Sequence, residues 1–149
     1  MFIPLVQMLI DDHKYPVITE ENLDEWASKH DLTMLFFGGD GERLDETPDV
    51  AVVVPMLEQH FAGKIKPAVV AREAERPLQV KYRFNAFPAL VFLKGGQYLG
   101  CITRMQDWTD YVAMVEDVLA KEPTQPPSFK LPHGCGTDEK EETADSTVH

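Results

Sequence analysis

Three observations predict an α/β domain with a central mixed sheet covered by helices on both faces. Short apolar runs alternate along the chain with segments whose apolar residues recur at helical spacing. One of these runs, Ala89 to Leu93, is apolar without alternation, as expected of a strand buried on both faces. A last amphipathic segment carries Trp108, Tyr111, Val112, Val115, Val118 and Leu119 as one continuous stripe. At 149 residues the chain is long enough for one domain with a proper core and too short for two.

The elements follow in order. Phe2, Leu5, Val6 and Leu9 fall at helical spacing and predict a short helix that docks on the domain. This apolar start has no Lys or Arg before Lys14 and no small-residue cleavage site, so it does not read as a signal peptide. Tyr15 to Ile18 is a brief edge strand. Thr19 caps the next helix, with Asn22 at the third position, where a capping box would prefer Glu or Gln. Leu23, Trp26 and Ala27 mark the buried face of that helix, which ends near Lys29-His30.

Leu32 to Phe37 is a strong strand closed by Gly38-Gly39, and a polar loop runs from Asp40 to Glu46. Thr47 as N-cap with Pro48 at the first helical position starts a helix that continues through Val50 to Phe61 and stops at Gly63. Pro55 inside it removes one backbone bond and kinks it. Ile65 to Ala71 is the next strand, and Pro77 is expected to open a short helix carrying Leu78, Val80, Tyr82 and Phe84. Pro88 cannot donate to a ladder and so heads its strand. Lys94-Gly95-Gly96-Gln97 turns the chain into the last strand, around Tyr98 to Thr103. The predicted order is α-β-α-β-α-β-α-β-β-α. Residues 1–122 form the expected domain. From 123 to 149, Pro123, Pro126, Pro127 and Pro132 and a polar, acidic composition predict a flexible tail.

Composition excludes several functions. A net charge of −11 points away from nucleic acid and anionic membrane surfaces and towards a basic partner. Arg72, Arg76 and Arg83 do not make a basic stripe. Two cysteines, Cys101 and Cys135, are too few for a disulfide scaffold and favour a reducing compartment. His13, His30 and His60 are dispersed, and His133-Gly134-Cys135 supplies only two ligands, so neither a metal nor another cofactor is expected. Trp26 and Trp108 sit on apolar helix faces and are assigned to the core.

Over residues 15–120 the chain resembles a thioredoxin fold. The features are the helix with Pro55, Lys81-Tyr82 ahead of the strand-heading Pro88, the Gly95-Gly96 hairpin and the closing helix. The resemblance implies a cis Phe87-Pro88 bond beside the active-site turn. Thioredoxins carry Cys-x-x-Cys between the Phe-rich strand and the kinked helix, whereas Gly38 to Pro48 contains no cysteine. Thiol–disulfide exchange needs an attacking thiolate and a resolving thiol. Neither stands there.

A narrower resemblance covers the chain to about residue 122. The N-terminal helix, Leu23-Asp24-Glu25-Trp26, the cysteine-free acidic loop, Phe87-Pro88-Ala89-Leu90-Val91-Phe92, Gly95 to Gly100 and Trp108 together resemble the HyaE/HupG family of hydrogenase expression/formation proteins. That resemblance implies a cytoplasmic, non-catalytic accessory chaperone of nickel–iron hydrogenase maturation. Its implied partner is the hydrogenase small subunit precursor, recognised through its twin-arginine signal peptide before export.

Asp40, Glu42, Asp45, Glu46 and Asp49 cluster where the redox motif would stand, and in such a fold Phe87 and Pro88 lie against the same turn. Carboxylates beside apolar surface suit a peptide whose arginines precede an apolar stretch. These seven residues are the candidate partner site. The plainer reading of the carboxylates is that they complement a helix dipole and solvent. Two other functions stay open: a thiol-dependent redox enzyme using Cys101, otherwise a core thiol, and a generic thioredoxin-like scaffold that binds another protein, or a second copy of itself as a homodimer, through its apolar N-terminal helix.

Overall fold

The computed structural model describes residues 2–126. The elements are α1 (Pro4–Asp11), β1 (Val17–Ile18), α2 (Leu23–Ser28), β2 (Leu32–Phe37), α3 (Thr47–His60), β3 (Lys66–Val70), α4 (Arg72–Tyr82), β4 (Ala89–Lys94), β5 (Gln97–Thr103) and α5 (Trp108–Leu119), in the order predicted. The five strands form one sheet in the order β1-β3-β2-β4-β5. β1 and β2 run parallel to β3, and β4 lies antiparallel between β2 and β5.

The burial of β4 explains its uninterrupted apolar run. Leu90 and Phe92 enter a core shared with Val6 and Leu9 of α1, Val50 and Leu57 of α3, and Tyr111 and Val115 of α5. Ala89, Val91 and Leu93 enter a second core with Leu23 and Ala27 of α2 and Ala74, Leu78 and Tyr82 of α4. Successive strand residues therefore face different helices rather than water. The β4–β5 turn places Gly95 at φ 56° and Gly96 at φ 88°, where a side chain would be strained. It is anchored by the Gly95 amide, which donates to the Asp31 carbonyl at 2.8 Å.

Local signals hold at some helix starts and shift at others. Thr19 and Asn22 exchange reciprocal backbone–side-chain bonds of 2.8 and 3.2 Å, so Asn22 takes the place usually held by Glu or Gln, and α2 follows from Leu23. α3 includes Thr47 itself, preceded by Glu46, because the Thr47 hydroxyl donates to the Gly38 carbonyl instead of capping its own helix. α4 corrects the expectation at Pro77. It begins more than a turn earlier, at Arg72, with Glu73 and Glu75 in its first turn complementing the dipole. Pro77 forfeits one backbone bond inside it, offset by the packing of Ala74, Leu78 and Tyr82. Val80, expected on the apolar face, is 56% exposed. α1 docks on α3 and β3 through Val6 and Leu9.

Candidate functional site

The site is assembled by three connections that meet at one end of β4. The β2–α3 loop contributes Gly38 to Glu46, the segment after α4 contributes Phe87 and Pro88, and the β5–α5 link contributes Arg104. Phe87 and Pro88 are joined by a cis peptide bond. A pocket of about 260 Å³ lies between these connections, lined by Arg43, Leu44, Asp45, Glu46, Phe87, Pro88 and Arg104. It is smaller than the roughly 300–1,000 Å³ of a drug-sized ligand site and is of the scale that takes a side chain.

Four of the seven candidate residues meet here: Asp45, Glu46, Phe87 and Pro88. They do not play equal parts. Pro88 is buried and forms wall rather than surface, whereas Phe87 is half-buried, with its ring edge-on to Phe84 at 5.4 Å. Asp40, Glu42 and Asp49 lie outside the pocket lining. The Asp40 carboxylate accepts from the Glu42 amide at 3.2 Å, and the Asp40 carbonyl accepts from Arg43 and Leu44, so this residue shapes its own turn. Glu42, Asp45 and Asp49 are exposed and make no ion pair among the described residues.

Glu46 already holds a guanidinium. Arg104 Nε and Nη2 donate to its two oxygens at 3.1 and 2.8 Å, and the Met105 amide adds a bond of 2.8 Å. The Arg104 bonds first, and the Met105 amide second, hold the Glu46 carboxyl down at about 2. Arg104 has φ 69°, the left-handed region. Its amide donates to the Pro88 carbonyl at 2.7 Å, and its carbonyl accepts from the Tyr111 hydroxyl at 3.0 Å. Burial is the main cause that pushes the Tyr111 phenol up to about 12.

The loop's other anchor is internal. Glu75, 4% exposed on α4, accepts from the Gly39 amide at 3.0 Å and from Arg72 at 2.6 Å. Burial pushes its carboxyl up, against the lowering effects of the Gly39 amide and Arg72.

Sequence reasoning missed Arg43, Arg104 and Glu75. Arg104 is 58 positions from Glu46, and no local pattern links them. The Arg72/Glu75 spacing of three is a helical pairing signal, but the expected start at Pro77 hid it. Cys101 is 6% exposed on β5, as a core residue should be, but it is disulfide-bonded rather than a free thiol. Cys135, His133 and the predicted tail from residue 127 onward lie outside the described residues. Among the described residues no group of His, Cys, Asp and Glu could hold a metal ion. No helix among them is long and apolar enough to cross a membrane.

The sheet order, the cis proline ahead of β4 and the helices on both faces define a thioredoxin-like protein. Its β2–α3 segment carries carboxylates and arginine where the thiol pair would stand. The family model described as Hydrogenase-1 expression protein HyaE matches residues 5–111. The chain is 39% identical over 122 residues to the hydrogenase expression/formation protein HoxO of Azotobacter vinelandii, covering 82% of each. It is 36% identical over 115 residues to HupG of Rhizobium leguminosarum bv. viciae, covering 74% of this chain and 77% of that one. A crystal structure described as the hydrogenase expression/formation protein HupG from Rhodopseudomonas palustris CGA009 superposes with a TM-score of 0.50 at 36% identity, over 70% of this chain and 95% of that one. The chain belongs to the HyaE family of hydrogenase expression/formation proteins.

Proposed function

We propose that this protein is a non-catalytic chaperone of nickel–iron hydrogenase maturation that acts in the cytoplasm. It binds the precursor of the hydrogenase small subunit through its twin-arginine signal peptide before export. The observation that carries this reading is the pocket beside Phe87. Its apolar walls are Leu44, Phe87 and Pro88, and exposed carboxylates stand on the loop that replaces a thiol pair. Arginines of a peptide would pair with Glu42, Asp45 and Asp49, and the apolar residue that follows would enter the pocket.

The internal pair supports this reading, because Glu46 holds the Arg104 guanidinium through two parallel bonds. Family membership supports the maturation role. The redox alternative would rest on Cys101, which is 6% exposed and stands outside the pocket lining. The scaffold alternative would use what α1 leaves exposed, since Val6 and Leu9 are buried against the chain's own core. Calorimetric titration with a synthetic twin-arginine signal peptide, beside one with both arginines changed to glutamine, tests the proposal. Binding that depends on the arginines is the expected result, and equal affinity for the two peptides would remove the carboxylates from the mechanism.

A further inference from the structure

The peptide unit between Gly38 and Gly39 is gripped at both polar ends by side chains from outside its loop. Thr47 Oγ1, on α3, donates to the Gly38 carbonyl at 2.7 Å. The Gly39 amide donates to Glu75 Oε2, on α4, at 3.0 Å. Thr47 is 1% exposed and Glu75 4%, so neither side chain serves solubility.

Burying a carboxylate is costly even when it is paired, and an apolar side chain of similar size often serves stability as well or better. The desolvation of Glu75 outweighs the lowering influence of its partners, so its site does not favour the charge for its own sake. What the carboxylate does supply is an acceptor aimed at one amide. Gly39 sits at φ +71°, and a Cβ there would come within 2.8 Å of both Leu44 Cδ1 and Phe87 Cβ. The backbone at Gly39 therefore touches two of the pocket's apolar walls. A shift of the Gly38–Gly39 unit as a whole would change what both walls pack against.

We infer that Glu75 and Thr47 are positioning residues: by fixing the Gly38–Gly39 peptide plane from two different helices, they hold Leu44 and Phe87 at the spacing an incoming apolar side chain meets. The affinity part of this inference rests on the partner-binding reading above, and the geometric part stands without it.

The test combines NMR with peptide titration for Thr47→Val, Glu75→Gln, Glu75→Ala and, as a stability control, Leu78→Ala. Leu78 is 3% exposed on α4 and makes neither of the two hydrogen bonds to the Gly38–Gly39 unit. Thr47→Val and Glu75→Ala are expected to shift the Gly39 amide, Leu44 methyl and Phe87 ring signals. They should also weaken the peptide about tenfold, the scale of one hydrogen bond. Glu75→Gln keeps an acceptor oxygen and retains most of the affinity. Leu78→Ala lowers the melting temperature but leaves the Gly39 signal and the affinity unchanged.

Thr47→Val binding as tightly as the parent despite a shifted Gly39 amide would overturn the inference. So would Leu78→Ala losing affinity in step with its stability. If the parent protein binds no peptide, the partner reading fails by itself, and the Leu44 and Phe87 signals then judge the clamp. Their remaining in place in Thr47→Val would overturn it. Thr47→Val preserves shape and carries the test if Glu75→Ala does not fold.

Discussion

Behind the pocket, Thr47 and Glu75 are 1% and 4% exposed and hold one peptide unit, whereas across its mouth Arg104 and Glu46 have side chains 58% and 32% exposed. Both contacts join the β2–α3 region to another element, and both involve a carboxylate. Their surroundings make them different devices. A buried polar group that loses its partner keeps its desolvation cost, while an exposed ion pair that breaks is solvated again. The back of the pocket is therefore the costlier contact to break, and in the proposed function its front is where a peptide guanidinium would compete with Arg104.

That contrast orders the effects of substitution. Glu75→Ala leaves the Gly39 amide without its acceptor and opens space beside Arg72, and should cost about 2–3 kcal/mol in urea unfolding. Thr47→Val leaves only the Gly38 carbonyl unsatisfied at nearly constant volume, and about 1–2 kcal/mol is expected by the same measurement. Arg104→Ala should barely move the unfolding midpoint. Because it removes a cation that competes for Glu46, it should instead strengthen a twin-arginine peptide a few-fold in calorimetry. An Arg104→Ala protein that unfolds as readily as Glu75→Ala would erase the distinction between front and back.

pH separates the two carboxylates further. Glu46 is held at about 2 against an ordinary 4.5, so its contribution is present above pH 4.5 and is lost as pH falls towards 2. The stability difference between the parent protein and Glu46→Gln should shrink over that window in acid melts. It stays modest because the pair is partly exposed and screened. Glu75 is shifted the other way by burial, so the parent protein loses stability as pH rises from 4.5 through the raised value. Relative to the parent, Glu75→Gln should therefore gain stability on the alkaline side of 4.5.

The sheet was legible because its signals are local. The unalternating run at Ala89, the Gly95-Gly96 turn and the stripe from Trp108 each depend on neighbours in sequence. The α4 start was misplaced because Pro77 is a strong local start signal, and tertiary packing of Ala74 and Leu78 overrode it. In the site, the acidic loop and Phe87-Pro88 could be read from order alone. The state of each carboxylate could not. That Glu46 is occupied depends on Arg104, and that Asp40 serves its own turn depends on loop geometry. Glu75 looks in sequence like any acid in a first helical turn, and only the approach of Gly39 makes it buried and engaged.

The central claim of the proposed function is that Asp45 in the pocket lining, and the exposed Glu42 and Asp49 that flank it in sequence, attract the arginines of a signal peptide. Its most direct test is calorimetric affinity for a twin-arginine peptide at low and high salt, for the parent protein and for the Glu42→Gln, Asp45→Asn, Asp49→Asn triple variant. Exposed charges interact through screened water, so the parent's affinity should fall as salt rises, and the triple variant should bind more weakly with a flatter salt dependence. Equal affinity and equal salt dependence in the two proteins would contradict the claim.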